Sequence, residues 1–400
     1  MFRLPLGLST FAKIRKASYL YIDKTEHAYN LITQGHRYFL SRPRRFGKSL
    51  LVSTLKEILA GNQSLFTDLW ISRSNYQWQP HGIVMLDLSA ITVTNVEDLR
   101  SGLCALLQDI ADDYKLNLKL NSAKPDIALR ALVRALAAKF GHVAVLIDEY
   151  DSPILQVLHK PQQAQIVRDA IRSFFTIIKS LDALVDFVFI TGVSSFAKAG
   201  LFSGINNLRI LTMDHRWATI CGYTDSEVDN YLKSQLQAWA IAKNITYEQL
   251  RQQVKYWYNG YRFCADSITV YNPFSLMNAL DLQEFKNFWL QSGTPAFLVA
   301  ELAKKYRQSE HEILNLEHFE TTEDALGIFE ISAMPLTALM FQTGYLTITA
   351  YDSEKRAFQL GYPNFEVRTA LQKYLLGVYA NLELTEAESF ALKLYSALKK

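Results

Sequence analysis

Short apolar runs alternate with helically spaced stretches through the first half of the chain. Val143-Ala144-Val145-Leu146-Ile147 is apolar without interruption, the mark of a strand buried on both faces. Val185 to Ile190 reads as another such strand, and Gly82 to Leu88 and His36 to Leu40 are further strand candidates. Between them, residues 48–60 place Leu50, Leu51, Leu55, Ile58 and Leu59 at helical spacing, and Gly61-Asn62 ends that helix. An Ala/Leu-rich helix is expected over 127–139, stopping before Gly141. Strands alternating with helices predict an α/β fold, a parallel sheet with helices on both faces.

The pattern changes near residue 214. Thr224-Asp225-Ser226-Glu227 has the form of a capping box, in which threonine and glutamate each satisfy a free amide. A helical stretch is expected from there to about 257, then a turn at Tyr258-Asn259-Gly260-Tyr261 and a mostly helical region to about 330. Asn272-Pro273 and Gly293-Thr294-Pro295 interrupt that region. Residues 344–361 read as a hairpin around Asp352-Ser353-Glu354-Lys355, with helices before it (332–342) and after it (365–378). That order suits a small winged-helix-like module. An amphipathic helix is expected over 384–400. The expected domains are therefore 1–214 (sheet domain), 215–330 (helical lid), 331–380 (winged-helix-like) and 381–400 (C-terminal helix or linker).

A chain of 400 residues fits this division into two or three domains. With 42 basic and 39 acidic residues, the net charge of +3 does not by itself indicate a nucleic-acid binder. Cys104, Cys221 and Cys264 lack the CxxC spacing of a zinc site and suggest no disulfide framework. The N-terminus lacks the apolar core of a signal peptide, and no charge-free apolar stretch of ~18 residues occurs. The expectation is a cytoplasmic protein with no membrane partner; oligomerisation stays open.

The chemistry is concentrated in two segments. Arg42-Pro43-Arg44-Arg45-Phe46-Gly47-Lys48-Ser49 ends in the GK[ST] of a phosphate-binding loop and lies between a strand and a helix candidate. Arg42 stands where the usual pattern has its first glycine. Loop amides and the helix N-terminus would hold phosphate oxygens, Lys48 would neutralise the β/γ-phosphates and Ser49 would bind Mg²⁺. Arg42, Arg44 and Arg45 add cationic charge; a solvated basic turn would account for them equally well. The second segment is the apolar strand ending in Asp148-Glu149. There the first carboxylate would hold Mg²⁺ and the second would act as general base on the attacking water. Together the two segments read as a nucleotide site. Thr191 and Ser194, after the strand Phe187 to Ile190, are candidates to touch the γ-phosphate, and Lys198 and Arg209 are weaker candidates for a charge-stabilising finger. A nuclease would need a carboxylate followed by Glu/Asp-x-Lys on a neighbouring strand. Asp113-Tyr114-Lys115 and Glu284-Phe285-Lys286 have the letters, but in helical surroundings, and Glu301 to Lys304 is one residue too long.

The chain resembles the bacterial AAA-ATPase-like family, whose members often carry a C-terminal PD-(D/E)XK nuclease-superfamily domain. The resemblance rests on Tyr21-Ile22-Asp23-Lys24-Thr25, the RPRRFGKS loop, Leu146 to Asp151 and Ile190 to Ser194. It extends through Phe202 to Leu208, Tyr256 to Tyr261, Tyr271 to Ser275 and Gly361 to Asn364. It implies a P-loop NTPase fold, ATP and Mg²⁺ as cofactors, and a loop whose arginine at 42 is the family's own. The chain stops about where a nuclease domain would begin, so nuclease activity is not expected. Three readings follow: a Mg²⁺-dependent ATP-hydrolysing module that drives a conformational switch, a nucleotide-gated interaction module with little turnover, and a DNA-binding module. The last would use Lys355 and Arg356 at the hairpin tip. Any DNA or protein partner is left unidentified.

Overall fold

A computed structural model describes residues 3–120, 124–195, 200–202, 205, 207–291, 319–327 and 335–380. Two compact units divide the described residues: one comprises the residues to Gly222 together with Gly327 and Pro335, and the other comprises Tyr223 to Leu326 and the residues from Leu336 onward.

The first unit is built on five parallel strands, β1 (Arg37–Ser41), β2 (Gly82–Asp87), β3 (Val143–Asp148), β4 (Val185–Gly192) and β5 (Arg209–Ile210). Their order across the sheet is β2-β3-β4-β1-β5. The helices are α1 (Phe11–Lys16), α2 (Thr25–Gln34), α3 (Lys48–Leu59), α4 (Val96–Asp113), α5 (Pro125–Phe140), α6 (Ser152–Gln156) and α7 (Pro161–Ser180). Every residue of β3 is buried, as its unbroken apolar run requires. Side chains alternate along a strand. Val143, Val145 and Ile147 join one core with α4, α5 and α7, while Ala144 and Leu146 point to the opposite face, where α3 packs. Helices therefore cover both faces, as the sequence pattern predicts. The arrangement is α/β, with the loop after β1 leading into α3.

Register puts the chemistry on one edge. Ser41 pairs with Gly192, Leu40 with Thr191, and Asp148 with Asp87. Because β4 lies between β1 and β3, the end of β4 separates the loop after β1 from the carboxylates after β3. Ligands of open α/β sheets bind at this carboxyl edge of the strands.

In the second unit the capping box is formed: the Thr224 hydroxyl accepts from the Glu227 amide (3.2 Å) and the Glu227 carboxylate accepts from the Thr224 amide (2.8 Å). The expected helical stretch is divided into α8 (Asp225–Tyr231), α9 (Lys233–Ala242) and α10 (Tyr247–Tyr258), followed by α11 (Pro273–Leu282) and α12 (Phe288–Gln291). After α13 (Glu323–Gly327) and α14 (Leu336–Thr343), the hairpin forms as β7 (Thr347–Asp352) and β8 (Ala357–Gly361), and α15 (Phe365–Ala380) follows. The region to 330, expected to be mostly helical, is corrected at one point. Phe319–Thr322 is a strand, β6, antiparallel to β8, so the small sheet has the order β6-β8-β7. The sequence Phe-Glu-Thr-Thr is a short edge strand with little apolar alternation to announce it. The part of the helix expected over 332–334 and the helix expected over 384–400 lie outside the described residues. No helix among the described residues is long and apolar enough to cross a membrane. All three cysteines are buried and unbridged.

Candidate functional site

The loop between β1 and α3 depends on left-handed backbone at two places. Gly47 has φ of 89° and directly precedes α3, and Arg45 has φ of 66°. Glycine adopts that conformation without the steric cost a side chain incurs. Loop amides ahead of a helix N-terminus form an anion-binding concavity. Lys48 is buried, and its ammonium donates to the Pro43 carbonyl at 3.2 Å while lying 3.6 Å from Glu149 Oε1. Glu149 is itself in a left-handed conformation (φ 47°), uncommon for a residue with a side chain.

Asp148 closes β3 and is 3% exposed. Burial pushes its carboxyl up to about 6, against the pull of a hydrogen bond from the Ser49 side chain. Ser49 and Asp148 thus meet across the sheet edge. One hydroxyl and one carboxylate suit Mg²⁺, which commonly takes one or two carboxylates together with phosphate oxygens and keeps several waters. Among the described residues no three or more His, Cys, Asp or Glu side chains are grouped so as to hold a metal ion.

Other expected residues are placed differently. The Arg42 side chain, expected to lend charge to a phosphate, is 1% exposed. Its guanidinium donates to the carbonyls of Ser41 (2.9 Å), Thr212 (2.8 Å) and Trp217 (3.1 Å). The side chain turns into the unit and props the loop from behind. Thr191, expected to contact the γ-phosphate, is fully buried and its hydroxyl donates to the Leu40 carbonyl at 2.8 Å. Ser194 is buried as well. Arg209 lies 3.7 Å from Asp214, an acid that also pairs with Arg216, so it is not poised as a finger. Lys198 lies outside the described residues. Arg44 is half-buried and Arg45 exposed, on the outer side of the loop. Phe46 is buried, with its carbonyl accepting from the Gly222 amide at 3.3 Å. In the second unit Lys355 lies 3.5 Å from Glu320 and 3.9 Å from Asp352, so its charge is locally balanced.

Sequence reading assigned Asp151 no role. It is fully buried, and its carboxylate accepts from the amides of Ser194 (2.7 Å) and Val193 (3.2 Å) just beyond β4. Burial, and then the charge of Glu149, push its carboxyl above the usual range. Asp151-Ser152-Pro153 looks like the N-cap of a short helix, which is the ordinary meaning of Asp before a helix. Here the side chain makes no cap to α6.

The sequence model of a family described as predicted AAA-ATPases matches residues 5–202. An uncharacterized protein in the vnfD 5′ region of Azotobacter chroococcum mcd 1 is 38% identical over 379 residues, which cover 94% of this chain and 70% of that protein. Among solved structures, the Walker-type ATPase PABY2304 of Pyrococcus abyssi aligns with 14% identity and a TM-score of 0.46, covering 88% of this chain and 96% of that one. The ORC2 protein of Aeropyrum pernix aligns with 11% identity and a TM-score of 0.35, covering 88% and 92% of the two chains. Likeness at that level carries no functional assignment.

Proposed function

We infer, since the chain belongs to the predicted AAA-ATPase family, that it binds Mg²⁺-ATP at the carboxyl edge of its parallel sheet and hydrolyses it. The observation that carries this reading is the convergence of four side chains from two separate segments. Lys48 lies 3.6 Å from Glu149, and the Ser49 side chain is near enough to Asp148 to draw its carboxyl pKa down.

In this reading the loop amides and the start of α3 hold the phosphates. Lys48 meets the negative charge that develops on the β/γ-bridging and γ-oxygens. Glu149 orients a water and accepts its proton as the water oxygen attacks the γ-phosphorus. The bond to the bridging oxygen breaks, and ADP leaves with that electron pair. Mg²⁺, held by Ser49 and ionised Asp148, would supply charge neutralisation across the phosphates. Arg42 supports the loop without touching nucleotide, and Thr191 ties β4 to β1. A conformational switch driven by turnover is the further step of this reading. The balanced charge of Lys355 lends the DNA-binding alternative no support.

The test is phosphate release by the purified chain, with and without Mg²⁺. Lys48→Ala should lower turnover by more than about 100-fold, the scale of losing one preorganised charge partner, with thermal unfolding monitored to show that the chain still folds. Wild-type protein that gains no thermal stability from nucleotide and releases no phosphate would end this reading. Tight nucleotide binding without phosphate release would replace it with the nucleotide-gated module.

A further inference from the structure

The turn that carries Glu149 is fastened to the end of β4 at several points. The Tyr150 amide donates to the Thr191 carbonyl at 3.1 Å, and the Tyr150 hydroxyl donates to the Ser194 carbonyl at 2.8 Å. The Asp151 carboxylate accepts both the Val193 and Ser194 amides. Gly192 makes room for this: a Cβ there would lie 2.4 Å from Asp151 Oδ1 and 2.6 Å from the Tyr150 ring. The end of β4 is in turn bound to the loop strand, through the Arg42 amide on the Gly192 carbonyl (3.2 Å) and the Thr191 hydroxyl on the Leu40 carbonyl.

Two costs need an explanation. A fully buried carboxylate loses its hydration, and Glu149 holds a left-handed backbone that disfavours a side chain. Two charge-assisted amide bonds offset the first. The second persists only where the surroundings over-determine it, as strained residues at functional sites do. The residues bonded around Glu149 supply that constraint.

We propose that Asp151 is a positioning residue for the reaction: by accepting the Val193 and Ser194 amides it locks the turn after β3 and so aims the Glu149 carboxylate at Lys48. This rests on the nucleotide-site reading above. A carboxylate suits the task because Oδ2 accepts both amides while Oδ1 also accepts the Val193 amide at 3.3 Å. Asparagine would keep one oxygen acceptor and set its own NH₂ against the Val193 amide in place of the other.

The experiment measures kcat, KM and the affinity for a fluorescent ATP analogue for the full chain and its Asp151→Ala and Asp151→Asn variants. Asp151→Ala should lower kcat by about 10- to 100-fold, the scale of a small misplacement of a reacting group. KM and analogue affinity should stay near wild type, because the loop and Lys48 are untouched. Asp151→Asn should recover part of kcat. A residue serving stability alone would instead lower the active fraction and the binding stoichiometry together. Wild-type kcat in either variant overturns the proposal, and so does a loss confined to KM. If Asp151→Ala does not fold, Asp151→Asn decides. Absence of turnover in the wild-type chain would remove the nucleotide-hydrolysis reading and this inference with it. Turnover in wild type with unchanged variants removes only the inference.

Discussion

Asp151 in the first unit and Glu366 in the second occupy matching local environments. Each is a fully buried carboxylate that accepts backbone amides from a neighbouring element. Glu366 takes the Trp289 amide at 2.8 Å, at the start of α12, and so joins α15 to α12. Burial raises both carboxyls above the usual range, Glu366 to about 7. Their surroundings differ. Asp151 shares its turn with Asp148 and Glu149, and Lys48 approaches that turn. Glu366 is set among groups that fit a helix junction: the Trp289 and Phe288 amides and the Ser275 side chain, which draw its pKa back down. A buried, amide-bound carboxylate is therefore a joint, and it gains a chemical meaning only from the charged groups converging beside it.

The hardest test of that comparison removes the space each joint depends on. Gly260 has φ of 109°, and a Cβ there would lie 1.8 Å from the Pro363 carbonyl oxygen, two residues before the helix that carries Glu366. Backbone cannot yield as a flexible side chain can. Gly260→Ala should destabilise the second unit by more than about 3 kcal/mol, combining overpacking with backbone strain. Thermal unfolding followed by tryptophan fluorescence measures this. Binding of a fluorescent ATP analogue should persist if the two joints serve separate ends; its loss would join what the comparison separates.

Gly192→Ala is the counterpart in the first unit, with side chains rather than backbone in the way. It should cost about 1–3 kcal/mol of stability. The Tyr150 ring and the Asp151 carboxylate must move to admit the methyl group, so phosphate release should fall while analogue binding is kept. Unchanged turnover in a folded Gly192→Ala protein would sever the joint from the chemistry.

The same contrast explains what the sequence discloses. The four long strands of the main sheet and α3 are legible because a buried parallel strand must be apolar throughout and a helix must repeat its apolar positions. The pairing of Gly47-Lys48-Ser49 with Asp148-Glu149 is legible because phosphate and metal chemistry restrict residue type. The direction of a side chain is less accessible. Arg42 reads as a phosphate ligand, and only the fold places the Thr212 and Trp217 carbonyls against it. Thr191 reads as a phosphate contact, yet its hydroxyl is taken by Leu40 across the sheet. Asp151 goes unassigned because its partners, Val193 and Ser194, are more than 40 residues away in the chain. The edge strand β6 escaped for a different reason. It has four residues and pairs with β8 on one side, and Phe-Glu-Thr-Thr carries no period of its own.

The last test separates the joints by pH. Glu366 titrates at about 7 when folded, against an ordinary value of 4.5. Between those values the folded chain holds a proton that the unfolded chain has released. Its contribution to stability is therefore fully present below about pH 4.5 and is lost as pH rises through about 7, with a slope of at most about 1.4 kcal/mol per pH unit. Asp148, raised to about 6, and Asp151, also raised by burial, add the same sign of slope over a lower window. The interval between about pH 6 and 7 thus reports mainly on Glu366. Glu366→Gln keeps an acceptor for the Trp289 amide and removes the ionisation. Its stability curve from urea unfolding should match wild type near pH 4.5 and lie above it at pH 7.5, while the pH dependence of kcat stays as in wild type. Parallel stability curves would show that Glu366 is solvated enough to ionise freely. An altered kcat profile would show that the second unit's joint reaches the chemistry after all, and the distinction drawn between the two carboxylates would fail.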